Sequence, residues 1–143
     1  MRCFLIAGGV ALAATIGCGT VDVGTTPADI NTCRPSQKFF AEQVWPQLLS
    51  KDYGGKTCGD ARCHSVTSGR ELIVVAPTSM LTQPLPEDWM LVYRSATSQL
   101  QCTDVGQSTL LAKIDGRQTH AGGKLVERGG PESTLLRMWV EAK

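Results

Sequence analysis

This chain should fold as a small, mostly α-helical domain with long loops. In four separate stretches apolar residues recur every three or four positions, the period that puts them on one face of a helix. Each stretch opens on a residue suited to a helix N-terminus, namely Ser36, Pro86, Ser108 and Pro131. Only the short run Glu71 to Ala76 has strand-like composition, and six residues of that kind serve equally as extended loop.

The first eighteen residues stand apart from the domain. Met1 to Cys18 has one positive charge, Arg2, then an uncharged small and apolar run from Cys3 to Ile16, then Gly17-Cys18. An n-region, an h-region and a small-residue processing site read as a secretion signal. The apolar run is short of the ~20 residues that cross a bilayer as a helix. Thr15-Ile16-Gly17-Cys18 resembles the lipobox of bacterial lipoproteins, although Thr15 stands where leucine is usual, and it implies that Cys18 carries lipid. A plain secretory signal is the competing reading. Residues 19–32, rich in Thr, Gly, Asp and Pro, read as a flexible tether. One domain follows, residues 33–143, long enough for a single modest core.

Export predicts an oxidising periplasm or cell envelope, where few thiols stay free. Six cysteines are present. Cys3 falls in the signal and Cys18 at its end, which leaves Cys33, Cys58, Cys63 and Cys102. Four cysteines allow two disulfides, or one disulfide and a pair used otherwise. Loss of Arg2 with the signal leaves 13 basic and 13 acidic residues. A charge balance of zero gives no reason to expect a nucleic-acid partner.

The elements follow in order. From Ser36 to Ser50, Phe40, Val44 and Leu48 are spaced by four with Phe39, Trp45 and Leu49 beside them, and Ser36 suits the N-cap. Pro46 should kink this helix or divide it. From Pro86 to about Ser95, Glu87 and Asp88 favour the positive end of the helix dipole, while Trp89, Val92 and Tyr93 recur helically. Ser108 to Ile114 is a short helix with Ser108 as cap and Gly116 as stop. Pro131 starts the last helix, which carries Leu135, Leu136, Trp139 and Val140 on one side.

The segment that carries chemistry is Thr57-Cys58-Gly59-Asp60-Ala61-Arg62-Cys63-His64. Covalent haem attachment normally uses Cys-x-x-Cys-His, in which two thiols add to the haem vinyl groups and the adjacent histidine binds iron. Here four residues separate the cysteines, so the loop must bulge. Two other uses of the same residues stay open: a Cys58–Cys63 disulfide, and a tetrahedral zinc set of the two cysteines with His64 and His120. No Gly-x-Ser-x-Gly elbow, phosphate loop or acidic pair suggests an enzyme.

With its surroundings, this segment resembles the class I cytochrome c domain, in particular the single-haem domains of bacterial exported lipoproteins. The resemblance spans most of residues 33–143. It rests on the Phe/Val-Trp-Pro-x-Leu-Leu helix, Cys58 to His64, Ser108-Thr-Leu-Leu-Ala-Lys-Ile114, His120-Ala-Gly-Gly123 and the Pro-Glu-Ser-Thr-Leu-Leu-Arg-Met-Trp-Val helix, in that order. It implies a cytochrome c-like fold, haem c iron attached to Cys58 and Cys63, and His64 as proximal ligand. His120 stands where relatives often carry Met-Pro-Pro, which makes it the expected distal ligand, with Met80 and Met90 as alternates. Cys33 and Cys102 have no place in the haem motif and are expected to bridge; the competing pairings, Cys33 with Cys58 or Cys63, would abolish haem attachment. The function so implied is electron transfer with periplasmic redox proteins as partners. The alternative is a haem-free, disulfide-stapled lipoprotein that acts as a binding or structural module.

Overall fold

The computed structural model describes residues 33–142. The secretion signal, Cys18 and the tether lie outside the described residues. Within them the chain is mostly helical, and no strand forms. Helix α1 comprises an α-helical turn, Gln37–Phe39, that runs on into a π-helical stretch, Phe40–Leu49. Helix α2 is Glu87–Thr97, α3 is Thr109–Ile114 and α4 is Pro131–Glu141. Single 3-10 turns occur at Val66–Ser68 and Val105–Gln107.

Pro46 does not divide α1. A proline in an α-helix removes one N–H and drives its ring into the carbonyl four residues back. Here the backbone widens to the five-residue repeat, as in the bond from Ser50 N–H to the Trp45 carbonyl at 2.9 Å, and the ring is absorbed without a break. Ser36 caps the helix as expected: its Oγ accepts from the Phe39 N–H at 3.3 Å.

Helices α1 and α4 pack together. Phe40 and Trp139, both fully buried, lie with ring centroids 5.2 Å apart, and Tyr93 of α2 meets Phe40 edge-on at 5.4 Å. Polar ends of these rings are satisfied by backbone: Trp139 Nε1 donates to the Ser36 carbonyl at 3.0 Å and Tyr93 Oη to the Pro35 carbonyl at 2.6 Å. The same corner ties the two ends of the domain, since Ser36 N–H donates to the Ala142 carbonyl at 3.0 Å. Below it, Lys51 Nζ reaches Glu132 Oε1 at 3.0 Å and pins the chain after α1 to the first turn of α4.

One expectation needs correction. Ser108 holds the N-cap position of α3, but its buried Oγ accepts from the Gln101 N–H at 2.9 Å and not from its own helix. It fastens the preceding loop to α3. Of the two readings left open for residues 71–76, loop is the one that forms, and they pair with no strand. Instead Ser95 Oγ of α2 accepts from Ile73 N–H and lies 3.0 Å from the Ile73 carbonyl, which seats Leu72 and Val74 in the core. A side chain supplies what a neighbouring strand would have supplied.

Candidate functional site: a two-histidine cleft beside a cysteine pair

Two adjoining cavities open below α1 and α3. The larger, of about 360 Å³, has an apolar wall of Leu48, Leu49, Leu72, Leu110 and Ile114. The smaller, of about 180 Å³, is bounded by Cys63, Thr119, Gly122 and Leu125. Tyr53, Cys58, Arg70, Lys113 and both histidines line the two cavities alike. The larger volume alone falls in the ~300–1,000 Å³ range of small-molecule sites.

His64 and His120 are the only histidines in the chain, and fifty-six positions of sequence separate them. Folding brings them together at this cleft, with ring centroids 6.0 Å apart and planes inclined by 26°. Their orientation is set by backbone. His64 Nδ1 lies 3.0 Å from the Leu72 carbonyl and His120 Nδ1 lies 3.2 Å from the Gly123 carbonyl. A carbonyl only accepts, so each Nδ1 carries the hydrogen and each Nε2 keeps a lone pair. A histidine held in this way is a prepared metal ligand. Burial lowers the His64 pKa below its ordinary 6.5; the bond to Leu72 opposes this, and the nearby His120, Lys113 and Arg70 add to it. The ring is thus kept in the neutral form that can coordinate.

Gly122 makes room for the second imidazole. A Cβ at this position would stand 3.0 Å from Cε1 and 3.3 Å from Nδ1 of His120. Gly123 turns the chain with φ of +75°, a conformation that glycine adopts without cost. The His-Ala-Gly-Gly sequence therefore has two separate uses for its glycines. The sequence shows a tight turn there, but nothing in it assigns Gly122 to the ring and Gly123 to the turn.

Cys58 and Cys63 are both free and half-buried at the cleft. Burial, with Cys63 and Asp60 nearby, pushes the Cys58 thiol up to about 11, and it stays protonated at neutral pH. Tyr53 donates its hydroxyl to the Leu48 carbonyl at 3.0 Å, and burial, Cys58 and Glu132 all raise its pKa. Cys33 and Cys102 form the expected bridge, with Cα atoms 5.7 Å apart.

The tetrahedral zinc set is not assembled: among the described residues no three His, Cys, Asp or Glu side chains converge to hold a bare ion. A porphyrin iron asks less of the protein, since the macrocycle supplies four ligands and the chain only two. Two imidazole–metal bonds of about 2 Å, plus about 1 Å from each nitrogen to its ring centre, span roughly 6 Å when both Nε2 atoms point at the metal. The observed separation is 6.0 Å. The two-histidine cleft, with two thiols at its edge, holds the residue types that such a group uses. Met80 and Met90 do not compete for this position. Met80 is 86% exposed in the loop before α2, and Met90 lines a groove with Arg34 and Tyr93. No family model, no curated protein and no solved structure matches this chain.

Proposed function

We propose that this domain is a single-haem, c-type cytochrome-like electron carrier of the cell envelope, anchored by lipid at Cys18. One observation carries the reading: the chain's two histidines meet 6.0 Å apart, each with Nδ1 bonded to a carbonyl, in a cleft whose edge holds two free cysteines. Cys58 and Cys63 are the attachment residues, His64 the proximal ligand and His120 the distal one. The haem, when bound, supplies a one-electron iron couple.

The chain's own residues do the rest. Leu48, Leu49, Leu72, Leu110 and Ile114 exclude water from the cleft. The Leu72 and Gly123 carbonyls hold the imidazoles in one tautomer and one orientation, which limits rearrangement when charge arrives. Two imidazoles favour a lower potential than a histidine and methionine pair, because methionine ligation raises it. Arg70 and Lys113 line both cavities and supply positive charge beside a ligand that carries carboxylates. Partners are redox proteins of the periplasm, met through small, transient interfaces.

The test is an optical and mass spectrum of the protein produced with a cytochrome c maturation system. A Soret band, sharpened on reduction and retained through acid-acetone extraction, with haem mass on the Cys58–His64 peptide, is the expected result. A colourless chain with Cys58 bonded to Cys63 overturns the proposal and leaves the haem-free, disulfide-stapled module.

A further inference from the structure

The loop between Cys58 and Cys63 is two residues longer than the usual attachment loop, and hydrogen bonds centred on Asp60 hold it. Asp60 folds back on Thr57. Its carboxylate accepts from the Thr57 N–H at 3.1 Å and from the Thr57 hydroxyl at 3.0 Å. Its backbone joins both sides of the turn, because Asp60 N–H donates to the Thr57 carbonyl at 3.3 Å and Cys63 N–H donates to the Asp60 carbonyl at 2.7 Å. His64 N–H then closes on the Cys58 carbonyl at 3.1 Å.

This turn is seated on the loop of residues 71–76 beside it. A Cβ at Gly59 would stand 2.8 Å from the Val74 carbonyl oxygen, closer than side chains come to backbone. Val74 N–H donates to the His64 carbonyl at 2.7 Å, and His64 Nδ1 bonds to the Leu72 carbonyl at 3.0 Å. Asp60 and Gly59 line neither cavity, whereas Cys58, Cys63 and His64 do.

We infer that Asp60 is a positioning residue. It bonds Thr57 through its side chain and Cys63 through its backbone, and so sets where the Cys58 and Cys63 sulfurs stand relative to each other and to His64. The longer spacing then presents two thiols and one imidazole together, ready before any ligand arrives. The geometry stands alone, but the identity of the ligand rests on the haem reading above. In that reading each thiol adds across one vinyl double bond: a carbon–sulfur bond forms, the π bond breaks, and the thiol hydrogen passes to the neighbouring carbon. Nothing leaves, and no outside oxidant is consumed. What the addition requires is that both sulfurs be at fixed places at once.

Asp60 is exposed, so its replacement frees the turn and leaves the core untouched. The test compares the native chain with Asp60→Ala and Asp60→Asn, each produced with the maturation system and, separately, as reduced haem-free protein. Loss of the two side-chain bonds lowers the fraction of chains with two thioethers about tenfold. The same loss speeds Cys58–Cys63 disulfide closure under oxidised glutathione about tenfold, because thiols that stand apart as free groups gain freedom to meet. Asn retains one acceptor oxygen and recovers most of the attachment, whereas closure stays faster in both variants because both lose the Asp60 charge beside Cys58, and the thermal midpoints of the variants stay within a few degrees of the native one. Native attachment and native closure rates in Asp60→Ala overturn the proposal, as does equal loss in both variants with a lowered midpoint. If the native chain takes up no haem, the haem reading falls and the closure rates alone decide the role of Asp60.

Discussion

Replacing Gly122 with alanine adds one methyl group against the His120 ring and changes almost nothing else. The new Cβ would lie 3.0 Å from Cε1 and 3.3 Å from Nδ1, where carbon contacts settle at about 3.5–4.0 Å. The ring must therefore shift by roughly half an ångström, and the backbone need not, because the φ of Gly122 is not in the left-handed region. Rotation breaks the bond from Nδ1 to the Gly123 carbonyl, now 3.2 Å long. Its loss costs about 1 kcal/mol. Alanine returns about 0.4–1 kcal/mol by restricting the unfolded chain. Net stability changes by less than about 1 kcal/mol, yet a ligand site tolerates only about 0.5 Å of misplacement. The haem-loaded Gly122→Ala protein should lose its second imidazole ligand, and dithionite-reduced samples should bind carbon monoxide where native protein does not. Gly123→Ala is the control, since a Cβ there meets nothing within 4 Å and the cost is backbone strain at φ of +75°. If Gly122→Ala keeps the native spectrum and refuses carbon monoxide, Gly122 does not set the place of the His120 ring and the argument is refuted.

Further expectations follow from the cysteines and from one ion pair. The Cys33–Cys102 bridge closes a loop with a sequence separation of 69, and loop entropy puts its contribution at about 4 kcal/mol. Urea unfolding of Cys33→Ser/Cys102→Ser should show most of that loss, and an unchanged midpoint would contradict it. With its thiol at about 11 against an ordinary 9.0, Cys58 has about a hundredfold less thiolate at neutral pH. Partly offset by higher intrinsic nucleophilicity, its alkylation in haem-free protein should run about tenfold slower than that of an unburied cysteine, as read by peptide mass spectrometry. Burial raises the pKa of Glu132, but the hydrogen bond and charge of Lys51 and its own backbone N–H bring it below the ordinary 4.5. A folded pKa below the unfolded one means stability that is present above about 4.5 and lost as pH falls through the folded value. Urea midpoints should decline through that acid window in native protein and less steeply in Lys51→Met; parallel curves would rule the pair out as the cause.

The sequence by itself determined the helices, because their signals are local. Spacing of apolar residues, Ser36 as a cap that does bond its helix, Pro131 at the start of α4 and Gly116 with φ of +82° after α3 all act within a few residues. It also marked Cys58, Cys63, His64 and His120 as the residues of interest, since their types and the Cys-x4-Cys-His spacing are chemical facts of the chain. Tertiary structure decided what periodicity cannot carry. Pro46 widened α1 to a π-helix in place of breaking it, with Val44, Leu48 and Leu49 buried in that register. Ser108 turned from its own helix to Gln101, and residues 71–76 found a side chain, Ser95, in place of a strand partner. The site itself was of this second kind. Only folding could put His120 6.0 Å from His64, aim both Nδ1 atoms at carbonyls and leave Met80 and Met90 outside the cleft. Those relations join residues far apart along the chain, and their energies depend on distances that no local spacing encodes.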